Sequence, residues 1–180
     1  MAEGAWLLAF VTAQRLCELV LARRNTAVLL KRGGVEFGAG HYPLMVALHA
    51  AWLIGLWVLA YDHLVDLSWL ALFVVLQAAR VWVIASLGQH WTTRIIVMPG
   101  LPAVARGPYR IVRHPNYLVV ACEITVVPLA LGLKAYALAF FLFNLAMLAI
   151  RIRAENIALG TNSAGGADAP PNLAKPERTL

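Results

Sequence analysis

The residues of this sequence whose types and spacing could do chemistry lie in two short stretches. The first is RGPYRIVRHPNYL, Arg106 to Leu118, where three arginines, a histidine, two prolines and two tyrosines precede an apolar run. The second is RIRAENIAL, Arg151 to Leu159, which carries a guanidinium at Arg151 and a carboxylate at Glu155. Pro115 suits the first position of a helix, because it lacks an N–H that would be orphaned there. The N–H groups of Asn116, Tyr117 and Leu118 are then expected to be free at the positive end of that helix. Flanked by Arg110, Arg113 and His114, such an end is suited to a carboxylate or phosphate. Arg151 and Glu155 are four apart and on a helix would share one face. A cation, a carboxylate, a histidine, aromatic rings and free N–H groups together match a zwitterionic ligand. Each feature also has a plainer reading: arginines that set topology, a helical ion pair, and tyrosines of an interfacial belt.

These residues have to be positioned by apolar elements. Of the 180 residues, 61% are hydrophobic and 13% charged, and the mean hydropathy is +0.72. That surplus is too large for a soluble chain of this size to cover and predicts an integral membrane protein. The net charge of +6 could suggest nucleic acid, but the basic residues flank apolar segments, which argues against it. Five apolar stretches are long enough to span: Gly4–Ala22, Tyr42–Tyr61, Leu67–Leu87, Pro115–Leu133 and Ala135–Ile150. None alternates with period two, so the fold class is an all-α membrane bundle of about five transmembrane helices. The GLK connection between the last two is so short that they must be antiparallel neighbours. That brings Arg151 and Glu155 to about the level of His114.

Twelve of the fifteen Lys and Arg fall in the connections after the first and third helices and after the fifth. The opposite connections carry Asp62, Asp66 and Lys134. By the positive-inside rule the N-terminus is outside and the C-terminus cytoplasmic, which an odd number of spans requires. The expected organisation is one transmembrane domain over residues 1–159 and a disordered cytoplasmic tail over 160–180, rich in Gly, Ala, Pro, Asn and Ser. No secretory signal is recognisable, since the first apolar stretch lacks a preceding basic region and carries Arg15 and Glu18. The first helix is expected to continue past the membrane to Gly33–Gly34. GGVEFGAG, Gly33 to Gly40, follows no strand and does not read as a dinucleotide fingerprint. Cys17 and Cys122 read as small buried hydrophobes, with no disulfide framework and no metal spacing.

Ionisable groups also lie at depth. Glu123 falls eight residues into the fourth helix, about 12 Å below its start. Arg80 and Gln77 lie in the third helix, and Arg15 and Glu18 in the first. Such groups are costly in lipid and are paired or functional. One reading has Arg15, Glu18, Arg80 and Glu123 neutralising one another. The other has Glu123, or His49 or His90, deprotonating or orienting a substrate. WTTRIIV, Trp91 to Val97, is placed at the cytoplasmic mouth, where Thr92 and Thr93 could equally cap a turn.

GPYRIVRHPNY followed by RIRAEN resembles the isoprenylcysteine carboxyl methyltransferase family, most strongly from Gln89 to Leu159, with ELVLARRN and HYPLMVALHAAW extending the likeness. The resemblance implies a small integral-membrane enzyme that uses S-adenosyl-L-methionine. It assigns cofactor contacts to Leu101, Pro102, Ala103 and Val104, to Tyr109, to His114, Pro115, Asn116 and Tyr117, and to Glu155. It assigns Arg151 to the substrate. Asn156 stands where many members have a second acid, and Gln89 and Arg94 are both candidates for an upstream polar contact. With Glu123, Arg151 forms the expected catalytic pair, and no metal is called for. The acceptor should be lipophilic and arrive through the membrane lipid. It is a prenylated cysteine carboxylate, a phenolic or enolic lipid hydroxyl, or a phospholipid amine. The rivals from other classes are a nicotinamide-dependent membrane reductase and a non-enzymatic membrane scaffold.

Overall fold

A computed structural model describes residues 3–101 and 104–165, with side chains up to residue 160. Five helices carry the fold: α1 (Glu3–Lys31), α2 (Tyr42–Ala60), α3 (Leu67–Leu87), α4 (Pro115–Ala130) and α5 (Lys134–Gly165). Two three-residue strands, β1 (Val35–Phe37) and β2 (Ile95–Val97), pair antiparallel with Glu36 opposite Ile96. The sequence reading contained no strand. These two lie between helices, where the ribbon's backbone need not be satisfied within one span.

Four helices, α1, α2, α3 and α5, are long and apolar enough to cross a membrane, and the chain is a multi-pass membrane protein. Their outer faces expose large apolar side chains, among them Trp6, Val58, Val74 and Leu138, as a lipid solvent requires. Cys17 belongs to that exposed face and is not the buried hydrophobe expected, while Cys122 is half-buried. α4 is shorter than the expected span Pro115–Leu133. It ends at Ala130, has 16 residues, and reaches only about 24 Å. Most of its residues are buried, because it packs between α3 and α5.

The two ends of the bundle differ. At one end the Gly4 N–H donates to the His63 carbonyl (2.9 Å) and the Asp66 N–H to the Ala130 carbonyl (2.9 Å). His63 Nδ1 bonds the Leu131 carbonyl (2.7 Å). The start of α1, the α2–α3 turn and the α4–α5 turn are thus tied together. Asp66 caps α3 by accepting from the Ser68 N–H at 2.8 Å. Since α4 starts from this tied level in reverse, its shortness leaves its N-terminus about 8 Å short of the far end of the 21-residue α3. Pro115 therefore sits in a recess.

At the far end α1 stops as expected: Gly33 has φ 89° and the Gly34 N–H bonds the Leu29 carbonyl at 2.9 Å. The Asn25 amide reaches the Trp91 carbonyl (2.8 Å) and the Gly88 carbonyl (3.2 Å), joining α1 to the end of α3. Ile95 and Val97 pack with Phe37 on Ala154 and Ala158 of α5. The main core, by contrast, gathers Leu8 and Val11 of α1, Trp52 and Leu56 of α2, Phe73 of α3, and Ile124 and Val127 of α4 near the tied end. α5 runs on helically to Gly165, and the rest of the expected tail lies outside the described residues.

Candidate functional site

The start of α4 and the end of α5 meet in the recess. His114 precedes Pro115, which opens α4 as read from the sequence. The free N–H trio does not form as expected, because the Tyr117 and Leu118 N–H groups turn back to the His114 carbonyl at 3.2 and 3.3 Å. The side chains make the junction instead. The Tyr117 hydroxyl donates to Glu155 and accepts from Arg151 Nε at 2.9 Å. Arg151 and Glu155 are joined through that phenol rather than as a direct helical pair. The His114 ring stacks on Tyr117, with centroids 5.2 Å apart, and its Nδ1 lies 3.6 Å from Glu155 Oε2.

Arg151 is buried, at 6% exposure. Its Nη1 donates to the Thr93 carbonyl (2.7 Å) and faces Met45 Sδ at 3.1 Å. Thr93 is in turn held through its hydroxyl by Tyr42 at 3.2 Å, and the Arg94 guanidinium lies 4.5 Å over the Tyr42 ring. Arg94 also bridges to Glu36 at 2.8 Å across the ribbon. Gln89 accepts from Arg32 at 3.0 Å. Both upstream candidates thus have protein partners.

The GPYR segment is a single tight turn resting on α3. Gly107 has φ 53°, and a Cβ there would sit 2.2 Å from Ser86 Oγ, so only glycine allows the approach. The turn half-buries Tyr109. Burial, and then the Glu155 carboxylate, push its phenol pKa upward. Val104 is half-buried and Leu101 exposed in the connection leading to this turn, while Pro102 and Ala103 lie outside the described residues. Asn156 is exposed.

Below Arg151 a cavity of about 310 Å³ opens between α1, α2, α4 and α5. Tyr117, Asn116, Thr92 and Thr93 line its upper part, and Leu16, Leu19, Val46 and Leu53 are among its apolar wall. Arg15, Glu18 and Arg80 also line it. Those charges form a closed network with Glu123, as the neutralisation reading expects. Glu123 accepts from Arg15 (2.7 Å), Arg80 (2.8 Å) and Gln77 (2.9 Å), and is fully buried. Glu18 accepts from Arg80 Nη2 (2.6 Å) and from Arg15 (3.1 Å). Two cations and two anions balance, which is what makes such depth tolerable.

Tyr109, His114, Tyr117, Arg151 and Glu155 therefore converge, with Asn116 turned toward the cavity and Glu123 set behind it. Residues 69–161 match the isoprenylcysteine carboxyl methyltransferase family. Over 160 residues the chain is 39% identical to the uncharacterized protein YpbQ of Bacillus subtilis (strain 168), covering 86% of this chain and 95% of that one. The chain belongs to the isoprenylcysteine carboxyl methyltransferase family. A more distant relative, an uncharacterized protein of Haemophilus influenzae, is 25% identical over 163 residues, covering 84% of this chain and 91% of its own length. No solved structure matches the chain. Membership of the isoprenylcysteine carboxyl methyltransferase family makes it a membrane methyltransferase. The family match begins inside α3 and ends within the last turns of α5, so it includes both halves of the recess. Met45, Tyr42 and Asn144 belong to the site or its cavity without having been singled out in the sequence. Asn144 did carry a signal, as the only amide in the apolar run AYALAFFLFNLAMLAI.

Proposed function

We propose that this protein is an S-adenosylmethionine-dependent O-methyltransferase of the inner membrane, acting on a lipophilic acceptor, with its cofactor pocket on the cytoplasmic side. The observation that carries this reading is the Tyr117 hydroxyl, which joins Glu155 on one side to Arg151 on the other at the top of an intramembrane cavity. The residues of the recess fit the cofactor's chemistry. Glu155 offers a partly exposed carboxylate to an ammonium. His114 Nε2 is buried without a partner, as is Asn116 Oδ1, so the recess still has polar atoms to satisfy. Tyr109, kept neutral, and Val104 offer an aromatic and apolar wall to an adenine. The bound cofactor would supply a methyl group already activated on a sulfonium, leaving the protein to align the acceptor and exclude water.

Arg151 stands between recess and cavity, and its fixed guanidinium would orient a carboxylate or an oxyanion. A carboxylate acceptor needs no base, whereas a phenol or enol does. His49 would serve that task. Its Nδ1 bonds the Met45 carbonyl (2.8 Å), which can only accept, so the neutral ring keeps Nε2 as an acceptor on a cavity-lining residue. Glu123, with both oxygens engaged, would serve by fixing Arg15 and Arg80 at the cavity wall. Calorimetric titration of the purified protein with S-adenosylmethionine and with NADPH tests the reading. Binding of the first alone is expected. Preference for NADPH would point to a reductase, and binding of neither to a scaffold. Labelled methyl groups should then appear in extracted lipophilic compounds.

A further inference from the structure

The cavity below Arg151 is unusual for a space inside a membrane bundle, because several residues that line it carry buried polar atoms without a partner. Six buried side-chain nitrogen or oxygen atoms among the described residues have no hydrogen-bond partner. Five belong to residues that line this cavity: Arg15 Nε, Trp91 Nε1, Asn116 Oδ1 and both amide atoms of Asn144. Asn144 is the extreme case. It is 1% exposed, on an apolar helix, with neither its donor nor its acceptor used. An amide orphaned in an apolar interior is costly, and hydrocarbon offers it nothing in exchange. An apolar residue of the same size would remove that cost without disturbing the packing.

Asn144 lies seven residues before Arg151 on α5, which is nearly two full turns. The two therefore share a face of the helix, with Cα atoms about 10 Å apart along its axis. They also differ in charge. Arg151 brings a cation at the upper end of the cavity. Around the deeper part the charged network is closed on itself, Arg15 and Arg80 against Glu18 and Glu123. No net charge remains there to attract an anion, and beside the unpaired Arg15 Nε the amide of Asn144 adds a neutral donor and a neutral acceptor.

We infer that Asn144 forms an intramembrane polar subsite that binds an uncharged hydrogen-bonding group of the acceptor, a second hydroxyl or a carbonyl, deeper in the cavity than the oxygen that is methylated. The inference rests on the cavity being the acceptor site of the methyltransferase. It makes Asn144 a specificity residue, since a wholly apolar chain at that depth leaves the amide unsatisfied and is disfavoured.

The test compares a resorcinol and a phenol that carry the same long alkyl tail, each bound to the protein in lipid nanodiscs without any methyl donor. Wild type should bind the resorcinol roughly tenfold tighter, a difference of about 1.4 kcal/mol, and Asn144→Leu should bring the two probes within about twofold of each other. The melting temperature of Asn144→Leu without probe should equal or exceed that of wild type. If that variant does not fold, Asn144→Ala gives the same comparison. A wild type without preference, or a variant that keeps it, overturns the inference. Methyl transfer plays no part in the measurement, so loss of the subsite and loss of the methyltransferase reading are separate results.

Discussion

Glu155 and Arg151 touch one phenolic oxygen, yet the roles proposed for them differ. Glu155→Ala should abolish detectable S-adenosylmethionine binding by calorimetry, because it removes the carboxylate proposed to hold the ammonium. Arg151→Ala should leave binding within a few-fold and lower turnover by at least about a hundredfold, the cost of losing a positioned charge contact. Equal effects of the two on binding would contradict the division of labour. Tyr117→Phe should weaken both functions, since its hydroxyl is the link between them. Tyr109 gives a pH signature. Its pKa is raised by burial and by Glu155, so the folded protein keeps a proton that the unfolded chain releases near the ordinary phenol value of about 10. By linkage its contribution is intact below that pH and declines above it. Denaturation midpoints of wild type and Tyr109→Phe should run parallel at neutral pH and separate only in the alkaline range.

At the scale of elements, the short α4 and the tight GPYR turn set the depth of the recess. Gly107→Ala places a Cβ against Ser86 at a left-handed backbone position, costing roughly 1–2 kcal/mol and shifting the turn that carries Tyr109. Its expected effect is weaker cofactor affinity with little change in turnover at saturation. The charged network joins α1, α3 and α4. Glu123→Leu leaves Arg15 and Arg80 facing each other with one anion fewer, and should lower stability by roughly 3–5 kcal/mol, read by detergent denaturation. The two small strands act between helices, where Arg94 and Glu36 lock β2 to β1 and thereby hold Thr93 against Arg151.

The whole molecule is read as crossing the membrane with its recess toward the cytoplasm, on the strength of the twelve basic residues that follow the first, third and fifth helices in the sequence. With Cys17 and Cys122 replaced by alanine, a cysteine introduced at Asp62 should react with an impermeant maleimide in intact spheroplasts. One at Gly33 should react only after permeabilisation. The reverse pattern would move the cofactor pocket to the outer face, where S-adenosylmethionine is not available. The single closed end, tied by Gly4, His63, Asp66 and Leu131, contrasts with an opposite end assembled from turns, strands and the recess. The ties between turns are concentrated at one end and the candidate site residues at the other.

The sequence by itself determined that the chain is a helical membrane bundle, because hydropathy, charge asymmetry and proline placement are properties of consecutive residues. It also determined the partners of the recess: Pro115 opens α4, and the short GLK turn forces the end of α5 to return beside it. The strands and the shortness of α4 were decided by the tertiary structure alone. So were the phenol between Arg151 and Glu155 and the orphaned amide of Asn144. The phenol and the amide depend on distances between groups far apart in the chain, and no local periodicity encodes such a distance.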